Sequence, residues 1–270
     1  MLVALYHWVG DRIIRIMEFI EIIWKYDPIE EVQTVIKNKN LTQPMDEYRK
    51  NACIYDLLIG PFLHPVYRDM VDILKAHGCL TCLDLCCGTG MFVGRAQKCG
   101  LIPSGVDISP AMLGVARTNY PDIDFLECDA SDLPMGEGGF DAVTISFALH
   151  EKPREIALDI IQEAIRLVRA GGLLVVADYR HSTERKSLLT GWGVRCVERM
   201  AGREHHAHFH DYMKRGGTEA FLTEAGLNAT HQATCMGGWA GVFVYVMDGC
   251  FSQTNFSSVN SPLSSSPNFS

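Results

Sequence analysis

Residues 83–90 read Leu83-Asp84-Leu85-Cys86-Cys87-Gly88-Thr89-Gly90, and this stretch decides the fold. It follows a short apolar run, 79–85, and leads into a helical pattern at 91–99. A loop of small residues between a strand and a helix lets backbone approach a ligand closely. It also aims the first N–H groups of the helix at that ligand. Alone it fits a dinucleotide or a nucleoside.

Working outward, the alternation repeats. Residues 101–106 form a strand closed by Asp107, and Ser109-Pro110 starts a helix as N-cap and first helical residue. Residues 123–127 form a strand that closes near Asp129, and 140–147 form another. A helix over 153–168 is closed by Gly171-Gly172, and 173–177 form a strand that reaches Asp178. Helical segments are expected around 183–200 and 211–225, with β-rich runs at 228–235 and 241–247. Short apolar strands alternating with helices mean parallel βαβ units, a sheet covered on both faces. In such sheets the ligand sits beyond the carboxyl ends of the strands. Asp84, Asp107, Asp129, Ser146 and Asp178 fall at those ends. Asp107 has the reach to accept both hydroxyls of a ribose, and Asp129 beside a backbone N–H can read an adenine edge.

The composition bounds the function. The chain has 270 residues, 47% hydrophobic and 21% charged, which is enough apolar material for a full core. Its net charge of −8 argues against nucleic acid as the main partner. Ten cysteines in a chain of this length suit free thiols in a reducing cytoplasm better than a secreted disulfide scaffold. No signal peptide or membrane span is evident. Residues 1–45 read as an appendage. Its apolar helical face packs on the domain or a second subunit, or touches a membrane surface, unless the natural start lies at Met17 or Met45. Residues 46–250 form the main domain. Residues 251–270, with eight Ser and no charged residue, read as a disordered tail.

Five motifs in order, LDLCCGTG (83–90), GVDISPAML (105–113), ECDASDLP (127–134), FDAVTISFALHE (140–151) and VRAGGLLVVADY (168–179), resemble the class I S-adenosylmethionine-dependent methyltransferases. The CCGTG loop is similar to that of quinone-ring and phospholipid methyltransferases, of the type 11/25 group. The resemblance implies a Rossmann-like α/β fold: a seven-stranded, mostly parallel sheet, last strand antiparallel, with helices on both faces. It implies S-adenosyl-L-methionine as cofactor. Asp84, Cys86, Gly88 and Gly90 would then face its methionine part, and Asp107 its ribose. Ile108 and Met112 would border the adenine, Asp129 and Ala130 its edge, and Ser146 and Phe147 the sulfonium end. Tyr55 would close over the cofactor. With the negative charge, it also points to a small-molecule or lipid-like methyl acceptor, and the cysteine spacings give no expected metal site.

Methyl transfer from a sulfonium is an in-line displacement, so a base matters only if the acceptor must lose a proton. His150 is the first candidate, against the simpler role of a helix-capping histidine. Tyr179 and His181 are further candidates. The histidine-rich segment 203–211 reads as a solvated or pocket-lining loop, with acceptor recognition and metal binding as alternatives. Cys79, Cys82, Cys86 and Cys87 read as small packing residues. Two rivals remain open: a non-catalytic cofactor-binding module, and a transferase using a modified cofactor or its aminopropyl group.

Overall fold

The computed structural model describes residues 52–181 and 203–247, all within the compact unit Lys50–Ser270. The expected N-terminal appendage, the Ser-rich tail and the helix around 183–200 lie outside the described residues. The elements run α1 (Ala52–Ala76), β1 (Thr81–Leu85), α2 (Met91–Lys98), β2 (Ile102–Asp107), α3 (Pro110–Asn119), β3 (Asp124–Glu127) and β4 (Phe140–Ser146). They continue with a 3₁₀ turn (Leu149–Glu151), α4 (Arg154–Leu167), β5 (Val168–Tyr179), α5 (Arg203–Lys214), α6 (Gly217–Glu224), β6 (Thr230–Cys235) and β7 (Ala240–Val246).

The sheet has seven strands, as expected, and their order is β3-β2-β1-β4-β5-β7-β6. β1 pairs in parallel with β2 and β4, whereas β7 runs antiparallel to both β5 and β6. The order reverses between β1 and β4, and that switch point opens the crevice in which such sheets take ligands.

Alternation along the strands explains the layers. Leu83, Leu85, Val143, Ile145, Leu174 and Val176 enter one core with α4 and α6. Their neighbours Cys82, Ala142, Leu173, Val175 and Ala177 enter the other with α1 and α2. A period of two sends successive residues to opposite faces, and helices cover both. At the amino end of the sheet Asp141 clasps the starts of β1 and β5. It accepts the Leu80 and Thr81 N–H groups at 2.8 and 2.9 Å and the Arg169 Nε–H at 2.6 Å. Those donors hold its carboxyl well below the usual carboxylate range.

Three local expectations change. Gly171-Gly172 does not close α4: the helix ends at Val168, already extended, and β5 begins there. Gly171, at φ +75°, instead lies inside the strand and donates to Met247 O. The histidine-rich segment is the helix α5, not a loop. The expected helix over 211–225 is split in two at Gly216-Gly217, both at positive φ. Also, α1 is a 25-residue helix despite Pro61 and Pro65.

Candidate functional site

The loop after β1 turns through three left-handed positions, at Cys86 (φ +58°), Gly88 (+55°) and Gly90 (+79°). Glycine adopts these freely; a thiol-bearing residue does so at a cost. Cys87 N–H donates to Val106 O at 2.9 Å, which ties the loop to β2. A Cβ on Gly88 would meet nothing within 4 Å, so the space beside the loop is open. α2 starts at Gly90 with no side-chain cap.

Asp84 is buried at the end of β1. One carboxylate oxygen accepts the Thr144 hydroxyl at 2.6 Å, and the other, Oδ2, is buried without a hydrogen-bond partner. Burial, helped by the nearby Asp107 charge, raises this carboxyl to about 7 against the bond from Thr144. Asp107 ends β2 and accepts Gly88 N–H at 2.7 Å and Ser109 N–H at 2.9 Å, one on each oxygen. Burial raises its carboxyl too, and those two bonds oppose the rise. Each oxygen keeps a second lone pair for a ligand hydroxyl. Ser109 caps α3 through Met112 N–H, with Pro110 at the first helical position. Met112 is buried, whereas Ile108 is 64% exposed and offers a bare apolar surface at the rim. Asp129 is exposed; its Oδ1 accepts Ser131 N–H and hydroxyl, which lower its carboxyl. Ala130 is buried beside it.

Across the switch point lie the ends of β4 and β5. Ser146 and Phe147 are half-buried, and Phe147 takes φ +51°, a strained value for a bulky residue. His150 is buried in the 3₁₀ turn, its Nδ1 2.6 Å from Asp178 Oδ1. Asp178, at the end of β5, also accepts the N–H groups of Leu149, His150 and Tyr179 at 3.0, 3.3 and 2.7 Å. The His150 ring meets Tyr179 edge-on at 4.7 Å and the α5 rings of His205, Phe209 and Tyr212 at 5.6, 6.0 and 6.5 Å. Tyr212 donates to Thr218 Oγ1 and Thr218 to the Tyr179 carbonyl, which pins α5 and α6 to the tip of β5. Burial raises the Tyr212 phenol well above its ordinary value, so it stays a donor.

The structure thus gathers Asp84, Cys86, Gly88, Gly90, Asp107, Ile108 and Met112 at one side of the crevice and Phe147, His150 and Tyr179 at the other. Tyr55 lies in α1, but its side chain is outside the described residues. His181 is exposed and stands just past the end of β5. Nothing in the sequence marks Asp178 as a partner of His150. The acid at a strand end was visible, but nothing in the sequence joined it to an imidazole 28 residues earlier. Nor does the sequence mark His205, which sits 3.5 Å from Glu151.

Residues 82–172 match the methyltransferase domain family. The likeness to that family lies in this segment, which carries β1 to the start of β5. The chain is 35% identical over 140 residues to a demethylmenaquinone methyltransferase of Renibacterium salmoninarum, spanning 50% of this chain and 57% of that one. It is 32% identical over 148 residues to a 2-phytyl-1,4-naphtoquinone methyltransferase of Thermosynechococcus vestitus, 50% of this chain and 63% of that one. The chain therefore spans less than two thirds of either relative. An O-methyltransferase family protein from Burkholderia thailandensis shares the fold of this chain, with a TM-score of 0.60 at 18% identity over 86% of this chain and 71% of that one.

Proposed function

We propose that the protein is an S-adenosylmethionine-dependent methyltransferase acting on a small, quinone-type ring. The observation that carries the reading is the Asp84 carboxylate. A buried acceptor oxygen without a partner, beside a loop with open space, is costly unless a ligand supplies a donor. The ammonium group of the cofactor's methionine part is such a donor. The remaining residues fit the same molecule: Asp107 would take the ribose hydroxyls, Ile108 and Met112 would border the adenine, and Asp129 and Ala130 its edge. Cys86, Gly88 and Gly90 would lie along the methionine part, Ser146 and Phe147 at the sulfonium end. When bound, the cofactor would supply a methyl group bonded to a positively charged sulfur.

What the chain itself does is position, dehydrate and hold. The loop N–H groups and the paired acids fix one ligand against the sheet, and the Phe147–Tyr179 wall fixes the other. Correct placement alone lowers such a barrier by several kcal/mol. Among the described residues no helix is long and apolar enough to cross a membrane. A small or lipid-like acceptor, rather than nucleic acid, suits the −8 charge and the aromatic wall. The seven cysteines described as free thiols suit a reducing cytoplasm.

Calorimetric titration with S-adenosylmethionine tests the reading. Binding with one site per chain is expected, and folded protein that binds neither the cofactor nor its demethylated product overturns it. Labelled methyl transfer to 1,4-naphthohydroquinone then tests the acceptor.

A further inference from the structure

We propose that Met236, in the turn between β6 and β7, is a specificity-determining residue of the acceptor pocket: its thioether holds the apolar substituent of a flat ring whose reacting edge lies at Phe147. The inference rests on the methyl-transfer reading and deepens it, because it names the residue that sorts acceptors by what their ring carries.

Backbone conformation singles this residue out. Among the described residues three that are not glycine have positive φ: Cys86 at +58°, Phe147 at +51° and Met236 at +52°. Each is the first residue after a strand, since β1 ends at Leu85, β4 at Ser146 and β6 at Cys235. All three stand on the same edge of the sheet. β7 runs antiparallel to both β5 and β6, so β6 points the same way as β5 and its end joins the carboxyl edge. Gly237 and Gly238 follow Met236 at φ +61° and +97°. The chain thus takes three left-handed positions in succession and uses glycine for two of them. Glycine would take the first freely as well, whereas a Cβ makes it costly. The surroundings impose that cost. Cys235 Sγ–H donates to Asp69 Oδ2 on α1 at 3.6 Å, Trp239 N–H to Met236 O at 3.2 Å and Arg180 N–H to Trp239 O at 2.8 Å. Strain that is over-determined in this way gathers where side chains are aimed at ligands.

The register brings the turn to the site. Ala240 pairs with Tyr179, the last residue of β5, so the turn before Ala240 lies over the tip of that strand. There Met236 and Trp239 pack against Tyr179 and Phe209, as Phe147 and Met213 do. Phe147 and Tyr179 meet edge-on with their centroids 5.4 Å apart. Packing alone explains less. A side chain needed only to fill the core would be enclosed, yet Met236 and Phe147 are each half-buried and keep apolar surface open. The strand ends behind them stand three spacings apart in the order β4-β5-β7-β6, about 14 Å. Such a wall is longer than one ring. The ring fits at Phe147, beside the place the sulfonium would take, and what the ring carries reaches Met236. A thioether is unbranched and polarisable, so it moulds to an apolar substituent and packs well on aromatic edges.

The test uses the full chain and two acceptors with one reacting ring: 1,4-naphthohydroquinone and its 2-hexyl derivative. Wild type should prefer the hexyl ring in kcat/KM. Met236→Ala keeps the left-handed backbone and removes the thioether, so that preference should fall roughly tenfold, the effect of about two lost CH₂ contacts. The fall should be carried by KM for the hexyl ring. Equal kcat/KM of wild type for the two rings, a preference unchanged in Met236→Ala, or a fall carried by kcat alone overturns the proposal. If Met236→Ala does not fold, Met236→Gly, which removes the thioether and the conformational cost together, takes its place with the same expected loss of preference. Wild type that binds the demethylated cofactor product yet methylates neither ring also overturns it. Failure to bind that product at all would instead sink the underlying methyl-transfer reading.

Discussion

Asp84 and Asp178 end β1 and β5, the two strands that flank β4, and both are buried acids at the carboxyl end of a strand. Their surroundings are opposite. Asp84 has one oxygen bonded to Thr144 and one with no partner, whereas the two oxygens of Asp178 meet three N–H donors and the His150 ring nitrogen. The first is an unfinished site that a cationic ligand completes. The second is a finished one, whose charge serves the ring beside it. One residue type in one position of the fold thus does two jobs, and the count of donors around each carboxylate decides which.

Asparagine at each position is the sharpest way to break the comparison. At Asp84 it removes the charge that a ligand ammonium would meet, and S-adenosylmethionine affinity should fall roughly 30–100-fold, read by calorimetry. Unliganded stability should move the other way. The Asp84 carboxyl titrates near 7 in the folded chain and near its ordinary 3.8 when unfolded. Between those values the folded state holds the proton and the unfolded state has lost it. Asp84 therefore costs no stability below about pH 4, and its contribution is lost progressively as pH rises to about 7. Asp84→Asn should match wild type at acid pH and exceed it above pH 7, by about 1–3 kcal/mol or roughly 3–9 °C in Tm. Asp178→Asn should do the reverse, because its amide would face N–H donors. It should cost about 2–4 kcal/mol. Equal signs for the two variants would erase the distinction.

The two sides also differed in how far the sequence revealed them. The Asp84 side is local: loop, strand end and helix cap occupy consecutive residues, so Asp84, Asp107, Ser109 and Pro110 could be placed from their neighbours alone. The Asp178 side is assembled from residues far apart. The His150 partner lies across the sheet, and its ring wall comes from 209, 212 and 236–239, whose spacing carries no shared period. The segment 203–211 looked like a loop because four histidines obscure its pattern. Yet Phe209 and Tyr212, three apart, are buried along one face of a helix. The 25-residue α1 was hidden by Gly60, Pro61 and Pro65, which ordinarily punctuate helices. Gly171-Gly172 looked like a helix stop and instead serves a tight approach inside β5, where a Cβ on Gly172 would meet the Asp141 carbonyl oxygen at 2.6 Å.

A smaller effect should be confined to the Asp84 side. A Cβ on Gly94 would land in the ring of Tyr120, so Gly94→Ala must lift α2 or turn that ring. The cost should be about 1–3 kcal/mol in chemical denaturation, with weaker cofactor binding because α2 carries the loop. The His150 ¹⁵N signals should not move. Movement there would mean that the two halves of the crevice are coupled through the sheet.

The smallest effect concerns Cys86, where glycine would carry no penalty for φ +58°. Comparison with wild type alone is ambiguous, since the thiol also packs against the core and glycine adds entropy to the unfolded chain. Comparing Cys86→Gly with Cys86→Ala removes the packing from both. Alanine must still hold the left-handed conformation, so glycine should be the more stable by about 1 kcal/mol despite its greater unfolded-state freedom. Denaturant midpoints with unchanged slopes would report that difference directly. If alanine proves equal, the left-handed turn relaxes when the thiol is removed, and the loop is held by Cys87 and Asp107 rather than by the backbone at Cys86.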